Sequence, residues 1–344
     1  MLLVLNVGSS SLKAAVLAAG AAPTKRLWQA GAQRHGPLGE QLDQWLAPQL
    51  EPWWPQLTAA GHRVVHGGVR FTAPTRINPA VLKELEGVSA LAPLHNPPAL
   101  EAIQWLQQRQ PGLKQWACFD TAFHASLPPE AYTYALPAAW RQGGRRRYGF
   151  HGLNHQHVAE SAPCPRLISA HLGGGCSLAA IRDGRSVDTT MGFTPLEGLV
   201  MASRSGSVDP GLLLHLQRQG ISLEQLDQGL NQRSGLVGLS ELSSDWRELR
   251  KAAAEGHTGA QLALAVFLHR LRQELGAMAA SLGGVDQIAL TGGIGANDPK
   301  LLGDLQPSFA WLGSVRWLQV DADEEGMIGR LINRADQGSG AADG

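Results

Sequence analysis

Two stretches decide the fold: "MLLVLNVGSSSLKAAVL" at 1–17 and "LISAHLGGGCSLAAI" at 167–181. Each reads as an apolar run of strand length, a small-residue turn and a returning apolar run, the pattern of a buried hairpin. Laid one over the other, Asn6 falls against His171, Gly8 against Gly173, and "AAV" at 14–16 against "AAI" at 179–181, a constant offset of 165 residues. A strand, turn and strand repeated once in each half points to a duplicated domain, with chance likeness of two hairpins as the plainer alternative. A third strand-to-glycine turn, "IALTGGIGAND" at 288–298, follows a segment in which Leu264, Leu268, Leu271, Leu275, Met278 and Leu282 recur at threes and fours. That spacing predicts a buried helix over about 259–282, closed by Gly283 and Gly284. Strands alternating with helices imply an α/β architecture. The stretch 30–60 reads as irregular or helical surface packing, and "ADQGSGAADG" at 335–344 as a frayed tail.

The 344 residues, 44% of them hydrophobic, exceed what one core usually fills, so two domains are expected. Lys and Arg together number 29 and so do Asp and Glu, which leaves no net field for a nucleic acid or an anionic membrane. Neither partner is expected; a small molecule is. Cys118, Cys164 and Cys176 are odd in number and widely spaced, which suits a reducing compartment, and the cytoplasm is the expectation. The opening run is broken by Asn6 and Lys13 and has no basic flank before it, which argues against a secretion signal. No run approaches the roughly 18 apolar residues of a membrane span.

Small-residue turns at strand ends present backbone N–H groups that can cradle a phosphate. The chain has no GxxxxGK[ST] motif, and Asp298 stands where a dinucleotide fingerprint needs its last glycine. His151, His155 and His157 lie close together, but without HExxH or paired cysteines imidazole ligation of zinc is not expected. "RRR" at 145–147 reads as a solvated turn. The segments "HRVVHGG" (62–68), "LAPLHNPP" (91–98), "FDTAFH" (119–124), "RRRYGFHGLNHQH" (145–157) and "MASRSGSVDPG" (201–211) pair Arg, His or Asp with Gly or Pro, as rigid polar loops do.

In order and wording these segments resemble the acetate kinase family, part of the acetate and sugar kinase, Hsp70 and actin superfamily. The likeness runs from Met1 to about Arg330, and "RYGFHG" at 147–152 with "MGFTPLEGL" at 191–199 is specific to these kinases. The resemblance implies two duplicated RNase H-like, actin-like ATPase domains of α/β class with an interdomain active-site cleft. It implies a first domain of 1–123, completed by 325–344, for acetate and phosphate, and a second of 124–324 for nucleotide. The implied reaction is reversible, direct in-line transfer of the ATP γ-phosphoryl to acetate, giving acetyl phosphate and ADP. A carboxylate is already a nucleophile, so such a site must hold two anions in line and spread the charge in flight.

By the same resemblance Arg63 and Arg204 would clamp acetate and phosphoryl oxygens, His151 would donate to the phosphoryl group, and Asp120 would orient an arginine. Val65, Leu94, Phe150 and Pro195 would line a methyl pocket, with His95 at the substrate and His124 as support. Asn6 and Glu324 would hold Mg²⁺, which Mn²⁺ can replace, largely through water. Ser10, Ser11 and Lys13 would face the nucleotide phosphates, as would the second loop, His171, Gly173, Gly174 and Gly175. Asp245, Trp246 and Arg247 would approach the nucleotide, and Gly293, Ile294, Gly295, Ala296 and Asn297 would border the adenosine. A homodimer is also implied. Two family patterns are broken: HLGNG has Gly174 for its asparagine, and GIGEN has Ala296 for its glutamate. The chain is also shorter than most members, and Asp323 stands where asparagine is usual. A propionate or other short-chain fatty acid kinase is the nearest alternative. A sugar kinase would need a carboxylate base for its hydroxyl acceptor, with Asp120 the one candidate, and an actin- or Hsp70-like nucleotide-binding protein would lack the arginines.

Overall fold

A computed structural model describes residues 1–8, 11–18, 25–93 and 95–340. The chain divides into two compact units, one of Met1–Phe123, His151–His157 and Asp323–Gly344, the other of His124–Phe150 and Val158–Ala322. The segment 151–157, which sequence reading put in the second domain, therefore packs with the first. Its Gly152 N–H donates to the Asp120 carbonyl (2.9 Å), and Leu153 is buried with Trp116, Cys118 and Met327.

The first unit is built on six strands: β1 (Leu2–Val7), β2 (Ser11–Leu17), β3 (Arg26–Gln33), β4 (Ala59–Val64), β5 (Thr75–Arg76) and β6 (Lys114–Phe119). Their order is β3-β2-β1-β4-β6-β5. β1, β2 and β3 form an antiparallel meander, which β4 and β6 extend in parallel. Because side chains alternate along a strand, β1 fills two cores. Leu3, Leu5 and Val7 pack with Leu42, Leu46, Leu50 and Leu106, while Leu2 and Val4 pack with Met327, Ile328 and Ile332. The stretch 30–60 is thus neither irregular nor confined to the surface. Its first residues complete β3, and Leu38–Leu50 is helical with four leucines turned into the core. The helix Glu324–Gly340 lies against β1 and β4, so the tail expected to fray is helical as far as Gly340. It docks on Gly61, where a Cβ would stand 2.4 Å from Ile332 and 2.7 Å from Ile328.

The second unit repeats the plan with β7 (Arg166–Leu172), β8 (Cys176–Arg182), β9 (Arg185–Thr189), β10 (Gln287–Thr291) and β11 (Arg316–Gln319) in the order β11-β10-β7-β8-β9. Again an antiparallel meander, β7-β8-β9, is extended by parallel strands, β10 and β11. The RNase H-like α/β topology is therefore present twice. The constant offset does not survive in the pairing register. Val7 pairs with Leu12, but Leu172 pairs with Cys176, so the second hairpin loop is one residue tighter. A one-residue slip exchanges the faces of the returning strand. It is accommodated here because most residues of β2 and β8 are buried on both faces. The helix Thr258–Leu282 buries Leu264, Leu271, Leu275, Met278 and Leu282 and ends on Gly283 in the left-handed region (φ 68°).

Candidate active site

In the first unit the ends of three neighbouring strands and the start of the last helix deliver one polar cluster. Arg63, at the end of β4, donates from Nε and Nη2 to the two carboxylate oxygens of Asp120 (2.9 and 2.6 Å). Its Nη1 donates to Asn6 Oδ1 of β1 (3.1 Å). The Asn6 amide nitrogen donates in turn to Glu324 (3.3 Å) and Glu325 (2.7 Å). Asp120 is 1% exposed and Asn6 3%, so these bonds form away from bulk water. Burial works against the Arg63 charge, but Asp120, Glu324 and Glu325 outweigh it and hold the guanidinium pKa above its ordinary value. The Asp120 carboxyl is pushed up by burial against the pull of Arg63. The bidentate geometry fixes the plane of the guanidinium.

His151 enters the same neighbourhood through its backbone. It is one of three non-glycine residues among those described with positive φ (54°), its N–H meets the Asp120 side chain, and the next residue straps onto Asp120. Only glycine fits at 152, since a Cβ there would lie 2.0 Å from the Asp120 carbonyl. That explains the glycine after histidine in "GFHG". Asn6, Arg63, Asp120, His151 and Glu324, each named as a candidate from the sequence, are therefore neighbours in one cluster. Glu325 was missed, although the acidic doublet at a helix start marks it.

Lys13 pairs with Asn6 across β1 and β2 and so shares its face. Ser11 closes the first loop, its carbonyl accepting from Gly8 N (2.8 Å). Val65 is buried, and His95 immediately precedes the helix Asn96–Arg109. Ser10 and Leu94 lie outside the described residues.

The Glu324 and Glu325 carboxylates, both hard oxygen donors, lie against the Asn6 amide nitrogen, while the Asn6 carbonyl oxygen faces Arg63; no group of three or more His, Cys, Asp or Glu able to hold a metal occurs among the described residues. Mg²⁺ takes few protein oxygens and completes its shell with water, and two adjacent carboxylates fit that donor set.

In the second unit Arg204 donates from Nη1 to the Pro195 carbonyl (3.3 Å). Burial pulls its pKa down. Phe150 is 1% exposed, and its carbonyl accepts from His124 Nε2 (3.1 Å), whose other ring nitrogen meets Ser186 (2.8 Å). Burial pushes the His124 pKa down to about 4, so the ring is a neutral brace at pH 7.

A cavity of about 770 Å³ opens between the second and third glycine turns of this unit. Gly173, Gly174, Asp245, Trp246, Arg247, Gly293, Ile294 and Asn297, all expected from the resemblance to face nucleotide, line it together. His171, Gly175, Gly295 and Ala296 stand beside these turns but are not in its wall. The loop is tied by Ala202 N–H to the Gly174 carbonyl (3.1 Å) and by the Cys176 thiol to the Gly173 carbonyl (3.3 Å). Gly292 needs its positive φ (80°), and its Cβ would stand 2.6 Å from the Leu172 carbonyl.

Sequence reading missed Arg250, Asp298 and Lys300 in the wall. Buried Asp298 accepts from Trp246 Nε1 (2.7 Å) and Arg250 Nη2 (2.8 Å). The Trp246 indole is packed 4.7 Å from the Phe267 ring and covered by Arg250, so it shapes the wall instead of offering a free stacking face. Asp245 caps the helix Trp246–Ala254, and the Arg247 side chain pulls its pKa down to about 2.

A profile of the acetokinase family matches residues 27–326. The chain belongs to the acetokinase family. This acetokinase is 46% identical to the acetate kinase of Synechococcus sp. over 93% of its own length and 89% of that protein's, and 45% identical to that of Deinococcus radiodurans over 98% and 90%. Among solved structures it is similar to a propionate kinase from Francisella tularensis (TM-score 0.86, 33% identity, 96% of this chain and 98% of that one). It is similar too to the acetate kinase of Porphyromonas gingivalis (TM-score 0.85, 31% identity, 96% and 98%). The likeness thus spans both units of the acetokinase fold, the actin-like ATPase arrangement of two α/β domains. Its three cysteines are free, and no helix among its described residues is long and apolar enough to cross a membrane.

Proposed function

We propose that this acetokinase is an acetate kinase that moves the γ-phosphoryl of ATP directly to a carboxylate oxygen of acetate. In that step an acetate O–P bond forms as the bond from the γ-phosphorus to the bridging oxygen breaks. The electron pair leaves with ADP, and acetyl phosphate is the product. Acetate brings its own nucleophilic oxygen, so no base is required of the protein. The task left to the chain is to orient two anions that repel each other and to stabilise charge as it spreads over the phosphoryl oxygens.

The observation that carries this reading is Arg63, a half-buried guanidinium locked by Asp120 beside Asn6 and Glu324, in a chain belonging to this family. Arg63 would bind the acetate carboxylate, Arg204 the transferring phosphoryl oxygens, and His151 would donate a hydrogen bond as negative charge develops. Val65, Leu94, Phe150 and Pro195 would enclose the methyl group, with His95 beside it. The glycine turns of the second unit, with Ser10, Ser11 and Lys13 of the first, would hold the nucleotide phosphates. Asn6, Glu324 and Glu325 would hold Mg²⁺ or Mn²⁺, which when bound neutralises phosphate charge. A homodimer in the cytoplasm is the matching assembly and compartment, and the free cysteines support the latter.

ATP-dependent trapping of acetyl phosphate by hydroxylamine tests the activity. Comparison of kcat/KM for acetate, propionate and butyrate tests the acceptor. The likeness to a propionate kinase favours a second reading, because an apolar pocket separates substrates one methylene apart by only about 10–200-fold. Acetate is expected to be preferred, and a kcat/KM higher for propionate would reassign the acceptor.

A further inference from the structure

The motif "MGFTPLEGL" enters the chemistry so far only through Pro195. Glu197, two residues on, is gripped from two sides. The Tyr134 hydroxyl donates to its Oε2 (2.6 Å) and Arg147 Nη2 donates to its Oε1 (2.6 Å). Both partners are anchored in turn. Arg147 Nη1 donates to the carbonyls of Thr189 (3.2 Å) and Thr190 (2.9 Å), and the Tyr134 oxygen accepts from Phe193 N–H (2.8 Å). The turn can close this tightly only because residue 192 is glycine, where a Cβ would lie 1.7 Å from the Glu197 carboxylate and 2.2 Å from the Tyr134 hydroxyl. The loop 192–198 is therefore folded back around a half-buried carboxylate.

Arg204 meets that loop at Pro195. The Pro195 carbonyl accepts from its guanidinium (3.3 Å). Gly198 and Ser207 bond reciprocally, with Gly198 N–H donating to Ser207 Oγ (3.0 Å) and Ser207 N–H to the Gly198 carbonyl (2.9 Å). Pro195 sits between Gly192, which Glu197 and Tyr134 confine, and Gly198, which Ser207 holds. Its carbonyl is thereby a fixed acceptor, and being neutral it aims the guanidinium without cancelling its charge.

We propose that Glu197 is a positioning residue for phosphoryl transfer, acting on Arg204 through the 192–198 loop. This rests on the reading of Arg204 given above. Glu197 touches no reacting atom in this account; its charge holds Arg147, and the pair holds the loop.

The test is a double-mutant cycle of Glu197→Gln with Arg204→Ala in the full chain, read by acetyl hydroxamate formation, with circular dichroism melting of each variant. Glu197→Gln keeps the side-chain volume and removes the charge. A misplacement of the order of 1 Å lowers turnover by about 100-fold, so kcat is expected to fall by roughly 10- to 100-fold while KM for ATP moves by less than about twofold. In the Arg204→Ala background the same change is expected to cost less than about twofold. Tyr134→Phe, which removes one hydroxyl and leaves the Arg147 pair, is a second and milder probe. It should lower kcat less, and again not in the Arg204→Ala background. Additive losses in both cycles would overturn the proposal while leaving the proposed activity intact. Full activity of Arg204→Ala alone would overturn the role given to Arg204 and this inference with it, and absence of acetyl phosphate in the unaltered chain would overturn the functional reading itself.

Discussion

Replacing Asp120 by alanine tests the polar cluster of the first unit. The carboxylate accepts two bonds from Arg63, at 2.9 and 2.6 Å, and lies in a site where the Arg63 side chain is 15% exposed and the Asp120 side chain 1%. Breaking a buried ion pair from one side costs about 3–5 kcal/mol, because the other charge stays buried without its partner. Arg63 keeps its bond to Asn6 and the field of Glu324 and Glu325, which places the expected loss near the lower end, about 3 kcal/mol. Urea unfolding followed by circular dichroism reads this as a lower midpoint. Activity should fall further than stability explains, by about 100-fold, the scale of a misplacement of the order of 1 Å in a group that orients a reactant. Adding Arg63→Met to Asp120→Ala removes the stranded charge and should recover much of the stability with none of the activity. An unchanged midpoint in Asp120→Ala, or no recovery in the double variant, would refute the claim that burial of this pair governs the cluster.

Three further outcomes follow from the same physics. His62 and His124 are both pushed from 6.5 to about 4 by burial, so the folded chain binds fewer protons than the unfolded one between those values. Their contribution is complete above about pH 6.5 and is lost as pH falls toward 4, by about 3 kcal/mol each, and His124→Gln should flatten the acid side of a stability profile measured from pH 7 to 4. Gly61→Val should loosen the helix Glu324–Gly340 by about 1–3 kcal/mol through overpacking against Ile328 and Ile332, seen as faster proteolytic loss of the C-terminal segment. Gly174 is the reverse case, because a Cβ there meets nothing within 4 Å and its backbone is outside the left-handed region. Gly174→Asn should leave the melting temperature unchanged and lower KM for ATP by about 3- to 10-fold, the worth of roughly one added hydrogen bond.

The hairpins, the duplication and the long helix were legible because each is written in local periodicity: apolar runs broken by small residues, and leucines at threes and fours closed by glycine. β3 was not, because an edge strand with exposed and half-buried residues along its length carries no continuous apolar run. The helix beyond Ala335 was hidden by Gly338 and Gly340, whose poor propensity is overridden by a helix already docked through Ile328 and Ile332. The one-residue slip of β8 left no trace in sequence, since strands buried on both faces have no polar alternation to set register.

At the site, Arg63, Asp120, His151 and Glu324 came from the family resemblance and are gathered in one unit, as Arg204 and Pro195 are in the other. Glu197, Asp298 and Arg250 were invisible because their partners are distant in the chain. Arg250 meets Asp298, 48 residues away, and Tyr134 meets Glu197 across 63.

Direct transfer from ATP to acetate is tested by measuring ADP release and acetyl hydroxamate together, with and without acetate. ADP is expected to appear in step with hydroxamate, to depend on acetate, and to fall in parallel by orders of magnitude, to a residual but measurable rate, in Arg63→Ala and Arg204→Ala. ADP released at the same rate without any carboxylate would contradict it.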